Sequence, residues 1–151
     1  MRTPRIRTLT IGVVCAAAFA AVASTAVAGL VSSLGTAKRT IAGKPTTIVV
    51  DRRGDTIYEL SGESLSHLQC VTASCLKQFV PVLVRSAGVK VPVAAGVPGK
   101  VSALRRVKAN LYQVMLDKHP LYFYAGDTTI GTTKGQGLKG PGGTWHVVTA
   151  R

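Results

Sequence analysis

Acidic and aromatic residues are scarce in this chain of 151 residues. Only 6 residues are Asp or Glu against 19 Lys or Arg, so the net charge is +13, and aromatic residues make up 5%. Three cysteines are too few for a disulfide-dense miniprotein. The length leaves no room for a doubly wound cofactor domain beside a substrate domain. Because 46% of the residues are hydrophobic, a disordered charged chain is excluded and one small folded domain is predicted.

The first 28 residues have the three parts of a secretory signal. Arg2, Arg5 and Arg7 give a basic start, a centre rich in Ala and Val follows, and Ala26-Val27-Ala28 is a small-x-small cleavage pattern. We therefore predict a signal peptide over residues 1–28. Its removal, with its three arginines, would lower the net charge from +13 to +10.

Two other fates of this leader stay open. No charge occurs from Thr8 to Ala37, and about 20 apolar residues suffice to cross a bilayer, so an uncleaved signal anchor to about residue 37 is one alternative. Lipid attachment at Cys15 is the other, although Val14 is β-branched where a lipoprotein signal has a small residue. All three alternatives place the folded part outside the cytoplasm, either secreted or anchored to the outer face of the cytoplasmic membrane.

The predicted export bears on the two cysteines that follow the leader. Cys70 and Cys75 form an even pair in an oxidising compartment, which predicts a structural disulfide. Zinc binding would need further ligands at zinc spacing, and a redox-active pair usually has two intervening residues rather than four. We expect no metal site and no cofactor.

Three segments of the body lack a clear strand pattern. Residues 29–45 are mainly small, polar and basic and predict a linker before a β domain over residues 46–151. Ser64 to Gln78 predicts a short helix or irregular segment, with Ser64 as a helix cap. Gly88 to Lys100 is rich in Gly and Pro and predicts a loop.

Two hairpin patterns recur along the domain. Residues 47–50 and 56–60 have extended patterns on either side of a turn. Residues 111–117 and 121–124 repeat this pattern around the predicted turn Lys118-His119-Pro120. We predict a mainly β fold, in which two related hairpin repeats form an antiparallel sheet and one short helical or irregular segment carries the disulfide.

The two repeats span about residues 46–84 and 101–151. Alignment of Tyr58 with Tyr122 also aligns Glu63 with Asp127. Asp51 matches Asp117 if the second turn is two residues shorter. One hairpin unit is therefore used twice, and a final strand is predicted over residues 144–148.

The second repeat contains a recognisable motif in the run Tyr122-Phe123-Tyr124-Ala125-Gly126-Asp127. The first repeat keeps its spacing from Tyr58 to Glu63. On these residues the chain resembles bacterial secreted repeat proteins with a Tyr-x4-Asp motif, also described as predicted lipoproteins with a Yx(FWY)xxD motif. Cys70-x4-Cys75 followed by Phe79-Val80-Pro81 is similar to the family's cysteine pair and Trp-Pro-Pro segment. The resemblance implies an envelope location and a fold, but it supplies no activity.

The motif provides the candidate site residues, which are Tyr122, Tyr124, Asp127, Tyr58 and Glu63. In one interpretation a Tyr hydroxyl near Asp127 holds a turn by hydrogen bonding. In the other, Asp127 and the tyrosines bind a ligand. No catalytic residue is predicted, because the chain has no Gly-x-Ser-x-Gly elbow and no two histidines at i, i+4 spacing.

The positive charge suggests the class of partner. Outside the cell, scattered Lys and Arg residues favour contact with an anionic membrane surface or an anionic wall polymer. Nucleic acid is not expected, because the chain is predicted to be exported and has no basic-aromatic recognition module.

Three functions remain open from the sequence. The first is a non-catalytic binding or scaffold module of the cell envelope. The second is an accessory protein for a small ligand, a metal or redox chemistry that uses the Tyr-x4-Asp motif. The third is an extracytoplasmic hydrolase with an unrecognised site.

Overall fold

The computed structural model describes residues 29–88, 90–107 and 111–151. The predicted signal peptide, its anchor alternative and Cys15 lie outside the described residues, apart from the last part of the anchor range. Within the described part of the chain, no helix has the length and apolarity needed to cross a bilayer. The elements in chain order are β1 (Leu34–Ile41), β2 (Lys44–Asp51), β3 (Tyr58–Leu60), α1 (Ala73–Gln78), β4 (Phe79–Pro81), β5 (Leu83–Val84), β6 (Val101–Val107), β7 (Leu111–Leu116), β8 (His119–Pro120), β9 (Tyr122–Tyr124), β10 (Lys139–Gly140) and β11 (Gly143–Val147).

The strands form one central antiparallel sheet with a hairpin joined to each side. The central order is β10-β11-β3-β9-β4. The β6–β7 hairpin is joined through β5, which continues the path of β4 and pairs with β7. The β1–β2 hairpin is joined through a bridge between Ile48 and Thr149, just beyond β11. The predicted mainly β, antiparallel fold with one short helix is therefore confirmed.

The two repeats are related by an approximate internal twofold. Tyr58 and Tyr122, which the sequence alignment equates, lie opposite each other where β3 and β9 pair antiparallel. On the outer sides, β11 pairs with β3 as β4 pairs with β9. Trp145 of β11 and Phe79 of β4 are therefore equivalent, and their rings stack with centroids 3.6 Å apart. Each repeat therefore contributes the outer strand that pairs with the motif strand of the other repeat.

The two turns differ in length by one residue rather than by two. The bridges that close them, Val50–Thr56 and Met115–Pro120, are equivalent. Asp51 consequently corresponds to Leu116 and not to Asp117. The second turn is Asp117-Lys118, both with positive φ, and the predicted turn residues His119 and Pro120 already pair with β7 as β8. Lys118 is held there because its carbonyl accepts the amide of Leu65.

The hydrophobic core is divided into two clusters. The first is largely aliphatic and comprises Leu34, Val49, Ile57, Val82, Val84, Val91, Val114, Leu116, Leu121 and Val148. The second holds most of the buried aromatic rings and the disulfide, and comprises Ile48, Val50, Tyr58, Leu60, Cys70, Cys75, Phe79, Tyr122, Trp145 and Val147. Tyr124 packs on the second cluster and stays half-buried.

The disulfide between Cys70 and Cys75 is present, with Cα atoms 5.5 Å apart. Helix α1 begins after Thr72, whose hydroxyl accepts the amide of Cys75 at 3.3 Å. The prediction of Ser64 as a helix cap is wrong, since Ser64 forms a small turn that its backbone closes with His67. The helix therefore occupies only the end of the predicted segment.

Residues 29–45, predicted to be a linker, contain strand β1 and the start of β2. Gly29 accepts the amide of Leu83, and Val31 donates to the carbonyl of Leu83. The composition was misleading because β1 lies at a sheet edge, where polar side chains face solvent and only Leu34 is fully buried.

Reduction of the disulfide is expected to lower the free energy of unfolding by about 2 kcal/mol, because the cross-link closes only a short loop in the unfolded chain. Urea unfolding with and without reductant measures this difference. In a Cys70→Ala/Cys75→Ala double variant, reductant should have no effect. Equal stability of the oxidised and reduced protein would contradict the structural role.

Candidate functional site

Tyr58 of the first repeat reaches the acidic residue of the second. The Tyr58 side chain is fully buried, and its hydroxyl donates to Oδ2 of Asp127 at 2.6 Å. The same hydroxyl accepts the amide of Gly135 at 3.2 Å. The other carboxylate oxygen of Asp127 accepts the amide of Lys134 at 2.9 Å. Asp127 thereby fastens the glycine-rich loop that follows it to the core.

Tyr122 of the second repeat makes the corresponding contact with the first. Its ring is fully buried, and its hydroxyl donates to Oε2 of Glu63 at 2.9 Å. Oε1 of Glu63 accepts the amides of Gln69 and Cys70 at 2.9 and 3.1 Å. Glu63 is therefore a buried carboxylate that holds the disulfide loop.

The two motifs thus exchange partners across the internal twofold. Each tyrosine bonds to the carboxylate of the other repeat, and each carboxylate binds a backbone amide seven residues further along its own chain segment. The turn-holding interpretation named no particular tyrosine. The hydroxyl bonded to Asp127 is that of Tyr58, and the hydroxyl of Tyr122 bonds to Glu63 instead.

The Glu63 site contains a cation that the Asp127 site lacks. Nη1 of Arg106 lies 3.7 Å from Oε1 of Glu63 and donates to the Tyr122 hydroxyl at 2.6 Å. The guanidinium also donates to the carbonyl of Cys70. Gln113, which is fully buried, accepts from Arg106 at 3.0 Å and donates to the carbonyl of Leu121. A buried carboxylate is stabilised only with such partners, and here the charge is balanced locally.

Sequence reasoning missed Arg106 and Gln113. A β-bulge lies between Leu104 and Val107, and it includes Arg106. A bulge redirects side chains and cannot be read from an alternating pattern. The buried polar residue at 113, where the first repeat has Ile48, is the one signal that could have identified the site.

Burial changes the acidity of both tyrosines. Desolvation raises the pKa of Tyr58 well above its usual value near 10, and the hydrogen bond to Asp127 and the charge of that carboxylate raise it further. Desolvation also raises the pKa of Tyr122, and the Glu63 charge adds to the rise, whereas Arg106 opposes it. Both hydroxyls are therefore held protonated, as donors.

The third motif tyrosine and two of the histidines also have contacts within the fold. Tyr124 packs edge-on against Tyr58, with ring centroids 6.4 Å apart. His119 is bonded through Nδ1 to the carbonyl of Glu63, and His146 through Nδ1 to the side chain of Gln136. Among the described residues, no three His, Cys, Asp or Glu side chains lie close enough to hold a metal ion.

The exchange of partners predicts a specific pattern of energetic coupling. Tyr58→Phe and Asp127→Ala should each cost about 1–3 kcal/mol of unfolding free energy, because each breaks a hydrogen bond to a charged group. The double variant should be less destabilised than the sum of the two, by about 0.5–3 kcal/mol.

Tyr122→Phe and Asp127→Ala form the matched control for this cycle, since they belong to one motif but are not bonded. Their effects should add within about 0.5 kcal/mol in urea unfolding. Coupling in the control pair and additivity in the first pair would contradict the exchange.

Alkaline pH should destabilise the fold through these two tyrosines. Because their pKa values are raised in the folded state, the stabilisation they give is complete below the ordinary pKa near 10 and is lost as the pH rises above it. Urea unfolding at increasing pH should show a fall beginning near pH 10, which is shallower in a Tyr58→Phe/Tyr122→Phe variant. Tyrosinate absorbance from these rings that appears while the protein remains folded would contradict their burial.

No curated protein and no solved structure matches the chain significantly. Residues 112–149 match the model of a protein family, and this span contains Tyr122 and Asp127 but only one member of each exchanged pair. The match agrees with the predicted export. It confirms that the second half of the chain resembles a family described as a secreted repeat of unknown function.

Proposed function

We propose that this protein is an exported, non-catalytic module that acts as a binding or scaffold element at the cell envelope. One observation carries this proposal: the motif residues are used inside the fold. Tyr58, Tyr122 and Glu63 are buried, and each motif carboxylate accepts both a tyrosine hydroxyl and a backbone amide. A ligand site would need these groups to be free, so the outer surface is the part left to meet a partner.

The chemistry of that surface favours an anionic partner, either the membrane surface or a wall polymer. Five of the six carboxylates already accept a hydrogen bond or form an ion pair within the fold. These are Asp51, Asp55, Glu63, Asp117 and Asp127. Only Arg53 and Arg106, among the basic residues that the structure describes, form ion pairs with them. The solvent-facing charge is therefore mainly positive, since Asp51 and Glu63 are buried and Asp117 is the one fully exposed acid.

Cell fractionation tests this proposal. An Asp127→Ala protein should lose about 1–3 kcal/mol of stability, yet its folded fraction should remain with the envelope and be released by high salt. Glu59→Gln is the matched control, because Glu59 is a half-exposed carboxylate outside both exchanged pairs. Loss of envelope association by a folded Asp127→Ala protein, with Glu59→Gln unaffected, would favour the ligand-binding alternative instead.

A further inference from the structure

Each hairpin carries an arginine two residues after an equivalent pair, but Arg39 pairs with Thr46 whereas Arg106 lies in the bulge. Ala37 pairs with Ile48 in β1–β2 as Leu104 pairs with Gln113 in β6–β7. Two residues beyond these points come Arg39 and Arg106. The bulge in β6 accompanies the inward course of Arg106 to Glu63, whereas β1 pairs regularly with β2 throughout its length.

Arg39 has no carboxylate partner among the residues that the structure describes. It forms no ion pair with any of the six Asp and Glu residues, all of which are described, because residues 1–28, 89 and 108–110 contain none. Its guanidinium donates only to the backbone carbonyls of Lys38 and Gly54, the latter at 3.4 Å. Its Nε is buried without any hydrogen-bond partner. The positive charge of this half-buried guanidinium is therefore not balanced by a carboxylate, and one of its N–H groups is not hydrogen-bonded.

The part of the hairpin beyond the Ala37–Ile48 pair, residues 38–47, is here named the basic arm. It contains Lys38, Arg39 and Lys44 and no acidic residue. Both lysines are exposed. The tip turns through Ala42 and Gly43, both with positive φ, and a side chain added at Gly43 would meet open space. The arm thus presents two lysines to solvent, whereas Arg39 is half-buried, with its guanidinium against Gly54 and Gly131.

We propose that the basic arm docks on the phosphate groups of anionic lipids at the outer face of the cytoplasmic membrane. This inference rests on the proposed function and deepens it. The counter-charge that Glu63 supplies to Arg106 would come to Arg39 from a lipid phosphate, to which a guanidinium donates in a bidentate manner.

Two observations favour a membrane over a wall polymer. The exposed tip places the apolar residues Ala42 and Pro45 close to Lys44 along the chain, and half-buried Ile41 precedes them. A membrane interface accommodates such a mixture, whereas a polar polymer gains nothing from the apolar groups. In addition, Gly29 and Val31 are bonded to Leu83, so a leader that is retained as an anchor would hold the fold next to the bilayer.

Vesicle flotation tests the proposal on the protein purified from the exported fraction. Vesicles that contain phosphatidylglycerol are compared with vesicles of phosphatidylcholine alone, and every variant keeps the same N-terminal residues, so that any contribution of a retained leader is common to all of them. Lys38→Gln/Lys44→Gln should lower the charge-dependent partition coefficient at least about tenfold, since each surface lysine contributes roughly one fivefold factor.

Lys77→Gln/Lys100→Gln is the matched control, because it removes the same charge from two exposed lysines outside the basic arm. It should lower partitioning less than about threefold. Equal losses in the two double variants would overturn the proposal and leave only a diffuse effect of net charge. Binding to isolated wall polymer without binding to vesicles would overturn the choice of the membrane.

Arg39 has a separate readout. Inorganic phosphate should raise the melting temperature of the natural protein more than that of Arg39→Gln, and no difference between them would contradict an anion at this arginine.

If the Lys38→Gln/Lys44→Gln protein stays with the envelope in cells and is still released by salt, the basic arm is excluded while the proposed function stands.

Discussion

The fold depends on how the buried carboxylate of Glu63 and the half-buried carboxylate of Asp127 are satisfied. Removing an acid from water is costly unless donors surround it, and here each receives a phenol from the opposite repeat together with backbone amides from its own loop. The tyrosines that make these bonds are the pair at which β3 meets β9. Strand register, loop closure and core packing are therefore fixed by the same few contacts, and neither repeat satisfies its own acid.

The sequence was informative at several points, although composition misled over residues 29–45, which contain β1. The β-branched run at residues 47–50 predicted β2, the alignment of Tyr58 with Tyr122 predicted the repeat, and the predicted export indicated the disulfide. It could not predict which hydroxyl reaches which acid, because that depends on how the two repeats pair in space. The inward course of Arg106 was hidden for a similar reason, since one bulge decides it.

The division of charge follows from this architecture. Asp51 is buried and accepts the amides of Arg53 and Asp55 in its turn, and Asp117 accepts the amide of Lys100. These carboxylates thus accept hydrogen bonds from backbone amides in loops. A small domain with many loops has many such amides that no strand or helix satisfies. Most basic side chains remain outside, so the excess of 19 Lys and Arg over 6 Asp and Glu gives a mainly positive surface.

Gly29, the first described residue, has φ 89° and lies so close to the carbonyl of Pro81 that a side chain there would collide with it. It is also bonded to Leu83, so the backbone next to Ala28 becomes part of the sheet once that contact forms. A peptidase must hold its substrate in an extended, accessible form. Proteolytic maturation next to Ala28 would therefore have to precede the final docking of this segment, which sets the order of two events in biogenesis.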